Sequence, residues 1–126
     1  MILYTINGSG SDSVKALAKF LHLDLEDKPR NEYRSELEAV NPRATVPTFV
    51  QGEQVVTETA TILRLLAKKN APALLGESDQ EEVKVDELIG FLSTTVYGGY
   101  LLRFRPDNYV DDEAHFDFVK AKSTSV

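Results

Sequence analysis

Apolar residues form a short run at the start of the chain, Met1 to Ile6, and then return at helical spacing as Val14, Leu17, Ala18 and Leu21 after the polar stretch Asn7-Gly8-Ser9-Gly10-Ser11. The run predicts a central strand, and the spacing predicts a helix that Ser11 or Asp12 can cap. A weaker alternation at Leu23 and Leu25 predicts a second strand, interrupted by Pro29. Tyr33, Leu37 and Val40 share one helical face over residues 32–40 before Asn41-Pro42 stops the turn. Residues 46–50 and 54–57 flank Gln51-Gly52-Glu53, which reads as a hairpin. Ile62, Leu63, Leu65 and Leu66 mark a third helix ending in Lys68-Lys69-Asn70, with cations where the macrodipole favours them. Strand, helix, strand, helix, strand, strand, helix is the thioredoxin-like order, so an α/β domain is predicted over residues 1–72.

Beyond Pro72 and the connector Gly76-Glu77-Ser78-Asp79 the pattern turns purely helical. Val83, Val85, Leu88, Ile89, Leu92 and Val96 predict an amphipathic helix over residues 80–104, with a bend at Gly98-Gly99. A second helix is predicted to start at Asp111-Asp112-Glu113 and to carry Phe116 and Val119. Residues 79–126 are too few to bury a core of their own, so they read as a truncated all-α segment that packs on the first domain, on a partner chain, or on both.

Composition mainly excludes. The net charge is −6 with no basic stripe, which argues against a nucleic-acid partner. No stretch approaches the length of a membrane span, and the N-terminus lacks a basic leader, so a cytoplasmic protein is the default. Cysteine is absent, which removes disulfides, thiolate metal sites and any protein thiol as nucleophile. His22 and His115 have no metal-ligand spacing, so no metal is expected. Gly8-Ser9-Gly10 is not a dinucleotide loop, because Ser13 stands where the third glycine is needed.

Two devices suited to gripping a ligand remain. Val46-Pro47, between a helix and a strand, is where a cis peptide would present the backbone of residue 46 to a bound peptide. Glu58-Thr59 places a carboxylate, a hydroxyl and free N–H groups at a helix start, which suits a ligand carrying an ammonium and a carboxylate. The same pair also reads as an ordinary helix cap.

The run Asn41-Pro42-Arg43-Ala44-Thr45-Val46-Pro47, followed by Glu58-Thr59, resembles the N-terminal domain of the glutathione S-transferase family. The resemblance implies that Val46 and Pro47 meet the cysteinyl part of glutathione and that Glu58 and Thr59 hold its γ-glutamyl end. The family's usual glycine is Ala44 here, which fits if φ at that position is negative. Phe91-Leu92-Ser93-Thr94-Thr95-Val96-Tyr97 and Phe104-Arg105-Pro106-Asp107-Asn108-Tyr109 are similar to the first C-terminal helix and turn of bacterial, beta-like members. That likeness puts Tyr97 in the pocket for the electrophile, although an aromatic on such a helix is commonly core. The remainder of the family's helical domain has no counterpart, and members pair into homodimers through this region.

Bacterial members carry a cysteine in the register of Gly10, so cysteine chemistry is excluded and the resemblance points instead to a serine-type member. Ser11 is then the expected hydroxyl for the glutathione sulfur, with Ser9 and Tyr4 as alternatives; either serine also reads as a plain N-cap. Lowering a thiol pKa from about 8.5 to about 6.5 requires about 2.7 kcal/mol. One hydrogen bond to a charged group supplies about 1.5–3 kcal/mol, with a smaller helix-dipole contribution. Two functions follow: a transferase that adds glutathione to a small electrophile, or a non-catalytic module that keeps the fold for dimerisation or interaction.

Overall fold

The computed structural model describes residues 1–123; the last three positions of the segment expected over 79–126 lie outside the described residues. The chain divides into two compact units, Met1–Glu77 and Ser78–Val126.

The first unit is a thioredoxin-like mixed sheet in the order β2-β1-β3-β4. β1 (Ile2–Thr5) runs parallel to β2 (Glu26–Pro29) and antiparallel to β3 (Thr48–Gln51), which pairs antiparallel with β4 (Gln54–Thr57). The β3–β4 turn is Gly52-Glu53, with Gly52 at φ 60°, the left-handed value that a two-residue hairpin asks of glycine. The second strand differs from expectation. Leu23 and Leu25 only lead into it and pack on the core, while the strand itself is the polar segment ending in Pro29. As a sheet edge, β2 tolerates a proline that a central strand would not.

Alternation along β1 and β3 sorts side chains to two faces. Leu3 and Phe49, opposite each other, join Val14 of α1 (Ser11–Phe20) and Ile62 and Leu66 of α3 (Thr59–Asn70) in a cluster with almost no exposed surface. Tyr4 and Thr48, also opposite each other, face the other way, where Thr48 bonds to Asn41 at the end of α2 (Arg34–Val40). Leu37 of α2 is fully buried outside the main cluster.

The second unit opens with α4 (Asp79–Phe91), capped by Ser78, and continues through a π-helical stretch, Leu92–Val96, into α5 (Tyr97–Phe104). The irregularity thus falls before Gly98-Gly99 rather than at the glycines. Its local mark is Thr94, whose hydroxyl bonds back to the Gly90 carbonyl at 2.9 Å and competes with the helix ladder. A turn at Pro106–Asn108 and another at Glu113–His115, the latter capped by the Asp112 side chain, lead to α6 (Phe116–Lys122). α4 has no buried residue, so the expected apolar face exists but stands uncovered. No helix among the described residues is long and apolar enough to cross a membrane.

Candidate functional site

Three strand ends meet at one edge of the first unit. The β1–β3 ladder runs out where Tyr4 pairs with Thr48, the first residue of β3, which also pairs with Thr57, the last residue of β4. The chain beyond these ladders is Ile6 to Ser11, Val46-Pro47 and Glu58-Thr59. Register therefore gathers most of the residues singled out from sequence at one edge.

The Val46–Pro47 peptide is cis. Pro47 is buried and Val46 half-buried, and among the described residues no backbone hydrogen bond engages Val46. Asn41 builds the loop that carries them. Its Nδ2 donates to Thr48 Oγ1 at 2.9 Å and Thr45 Oγ1 at 3.1 Å, while its Oδ1 accepts from the Arg43 N–H at 3.2 Å. Thr48 Oγ1 donates in turn to the Thr45 carbonyl at 2.7 Å. Asn41 and Thr48 at its centre are buried and satisfied, while Thr45 and Arg43 reach the surface, and the network fixes one loop geometry. Sequence reading treated Asn41 only as a helix stop; the available signal was Thr45 and Thr48 at hydrogen-bonding reach within the same run. Ala44 corrects a second expectation, for its φ is 49°, a left-handed value that costs a residue with a Cβ about 1–2 kcal/mol.

Glu58 is held at φ 70° and ψ 123°, a region open at low cost only to glycine. It occupies the N-cap position of α3, yet its side chain makes no capping hydrogen bond and its carboxylate is exposed. Thr59 follows, and the first-turn N–H groups of the helix have no intrahelical acceptor. Thr59 Oγ1 sits directly over Gly10, so close that a Cβ there would overlap it. Gly10 has ordinary helical angles, so close approach is what calls for glycine. Any side chain in that position, a cysteine included, requires Thr59 to move. The contact joins the start of α1 to the start of α3.

Ser11, the expected catalytic hydroxyl, is fully buried, and Gly10 rather than Ser11 or Asp12 holds the N-cap position of α1. Ser9 Oγ lies 2.6 Å from the Ile6 carbonyl and 2.8 Å from Ser11 Oγ, while the Ile6 N–H points to Ser11 Oγ at 3.4 Å. A carbonyl can only accept, so the arrangement that makes every bond sends the Ser9 proton to Ile6 and the Ser11 proton to Ser9. Both hydroxyl protons are then used inside a closed ring. Ser9 is the half-buried member, and therefore the one with surface to offer a ligand. Tyr4 is not brought to this group. It lies on the α2 face of the sheet, 3% exposed, and burial pushes its phenol pKa up. Tyr97 belongs to the second unit, where its ring stacks on Tyr100 with centroids 5.8 Å apart.

The loop after β1 is pinned electrostatically by Asp12, which accepts the Gly8 N–H at 2.7 Å and pairs with Lys15 at 3.0 Å. Lys15 holds the Asp12 carboxyl below the usual carboxylate range. Among the described residues no group of three or more His, Cys, Asp and Glu side chains is gathered to hold a metal ion.

Residues 3–78 match the family described as glutathione S-transferase, N-terminal domain. A curated relative, a putative glutathione S-transferase alpha-2 from Dictyostelium discoideum, is 26% identical over 86 residues, covering 68% of this chain and 42% of its own length. A glutathione S-transferase from Xylella fastidiosa superposes with a TM-score of 0.83 at 21% identity, over 97% of this chain and 62% of that one. A glutathione transferase homologue from Sulfitobacter, solved with bound glutathione, gives 0.79 at 18% identity over the same shares of the two chains. This chain thus spans less than two thirds of the length of each of these proteins.

Proposed function

Because the chain belongs to the glutathione S-transferase family, we propose that it binds glutathione at the sheet edge where β1 and β4 end and β3 begins, and conjugates it to a small electrophile. In this reading Val46 offers its unpaired N–H and C=O to the cysteinyl part beside Pro47. Glu58 takes the ammonium of the γ-glutamyl end, and Thr59 with the first turn of α3 takes its carboxylate. The observation that carries the reading is Glu58. Its backbone, strained by about 1–3 kcal/mol, opens the α3 ladder by accepting from the Ile62 N–H, yet it holds out a carboxylate that serves no cap.

The hydroxyl for the glutathione sulfur is then Ser9, the half-buried member of the serine ring, with Ser11 behind it as the group that orients it. Ser9 acts only by turning its proton from the Ile6 carbonyl to the thiolate. A bacterial, beta-like affiliation, a role for Tyr97 at the electrophile and a cytoplasmic homodimer go with this reading. The uncovered apolar side chains of the second unit support the association.

The serine ring itself favours a second reading. If both protons stay within it, glutathione is bound but not activated, and the chain is a dimerisation or interaction module that keeps the fold. Ultraviolet absorbance of bound glutathione separates the two. The transferase reading expects a thiolate at pH 7, a thiol pKa raised by about 1–2 in Ser9→Ala, and conjugation slowed about ten- to a hundredfold. A bound thiol that titrates as it does free in solution, unmoved by Ser9→Ala, leaves the module reading in its place.

A further inference from the structure

The same sheet edge opens a second time on its β2 side, as a crevice of about 260 Å³ lined by Thr5, Ile6, Asn7, Pro29, Arg30 and Asn31. Its walls are tied together, because Thr5 and Pro29 form the last pair of the β1–β2 register and the Arg30 N–H donates to the Thr5 carbonyl at 2.9 Å. The volume suits a molecule of about one ring, below the range of most drug-sized sites.

The polar groups around this crevice favour an anion. The nearby carboxylates are already engaged: Asp27 accepts from Thr5 Oγ1 at 2.6 Å and pairs with Lys15 at 3.3 Å, and Asp12 is held by Lys15 and the Gly8 N–H. Asn7 accepts from Lys15 through its Oδ1, which leaves its NH₂ end to donate. Arg30, half-buried, has no ion pair or side-chain hydrogen bond among the described residues. The lining thus combines a guanidinium and an amide donor with the apolar flanks of Ile6 and Pro29. We propose that this crevice binds a small organic carboxylate, the acid group on Arg30 and Asn7 and the carbon skeleton against Ile6 and Pro29. Ile6 also carries the carbonyl that accepts from Ser9, so the bound acid lies beside the hydroxyl assigned to the glutathione sulfur. Its role as an acidic electrophile rests on the transferase reading, whereas its binding does not.

Benzoate and benzamide, matched in size and differing in charge, test this by NMR titration of the whole chain, with and without saturating glutathione. Benzoate is expected to shift the amides of Ile6, Asn7 and Arg30 saturably and to bind about tenfold or more tighter than benzamide. Arg30→Gln should erase that preference and Arg30→Lys should keep part of it, with glutathione displacing neither ligand. Equal binding of the two probes, or an undiminished preference in folded Arg30→Gln, overturns the proposal. So does displacement by glutathione, which would assign the crevice to glutathione's own carboxylate. If glutathione binds nowhere, the transferase reading fails alone, and the benzoate comparison still decides this one.

Discussion

The two units differ in how far they bury their apolar residues. In residues 1–77, Leu3, Val14, Phe49 and Ile62 have no exposed surface, and a sheet covered by helices encloses them. In residues 78–123, Val83, Phe104 and Phe118 are each more than 60% exposed, and α4 has no residue more buried than the half-buried Val85 and Ile89. Helices joined end to end by short turns enclose little of their own apolar faces, here mainly Val119, whereas a sheet with helices on it encloses a full core. The first unit is therefore the one that holds its residues at fixed positions, and it is also where the strained Glu58, the Asn41 network and the Gly10–Thr59 contact lie. A binding edge has to be built on the rigid unit; the second offers surface.

The largest test of this contrast is a matched pair of truncations. Phe49→Ala should cost about 3–5 kcal/mol in urea unfolding, and Phe104→Ala should stay within about 0.5 kcal/mol. A Phe104→Ala loss that grows with protein concentration would show the second unit's apolar face being covered by another copy. A loss independent of concentration would break the comparison.

Much of the first unit was legible because its signals are local. Apolar periodicity with Gly and Pro punctuation marked β1, the hairpin and α3, and the spacing of Val46-Pro47 to Glu58-Thr59 marked the edge that register then assembles. β2 was obscure because Glu26-Asp27-Lys28-Pro29 is an edge strand with no apolar alternation, and its place comes from pairing with β1. The further roles of Gly10 and Asn41 were hidden for a related reason. One depends on Thr59, far along the chain, and the other on hydroxyls whose direction no pattern states. In the second unit periodicity announced helices correctly but carried no information on what covers them, and the π-helical stretch depends on hydrogen bonds that periodicity does not report.

A smaller effect separates the polar frameworks of the two units. Asn41→Ala strands buried partners and should cost about 1–3 kcal/mol, while Ser78→Ala, removing an exposed cap from α4, should cost about 0.5–1 kcal/mol by the same assay. Equal losses would mean that the loop before Pro47 is no better fixed than a helix end in the open unit. The smallest effect has the opposite sign. Ala44→Gly relieves about 1–2 kcal/mol of left-handed strain and returns about 0.4–1 kcal/mol through the freer unfolded chain, so stability should rise by about 0.5–1 kcal/mol. A fall in stability would show that Ala44 makes contacts that outweigh its backbone angle.

The central claim is that the edge of the first unit, through the strained Glu58, is a glutathione site. Calorimetric titration of the whole chain with glutathione, wild type beside Glu58→Gln, tests it directly. The account predicts saturable binding that Glu58→Gln weakens by about 1.5–3 kcal/mol, roughly ten- to a hundredfold or more, with unfolding stability unchanged. Equal affinity in the two folded proteins, or no binding by the wild type, would contradict it.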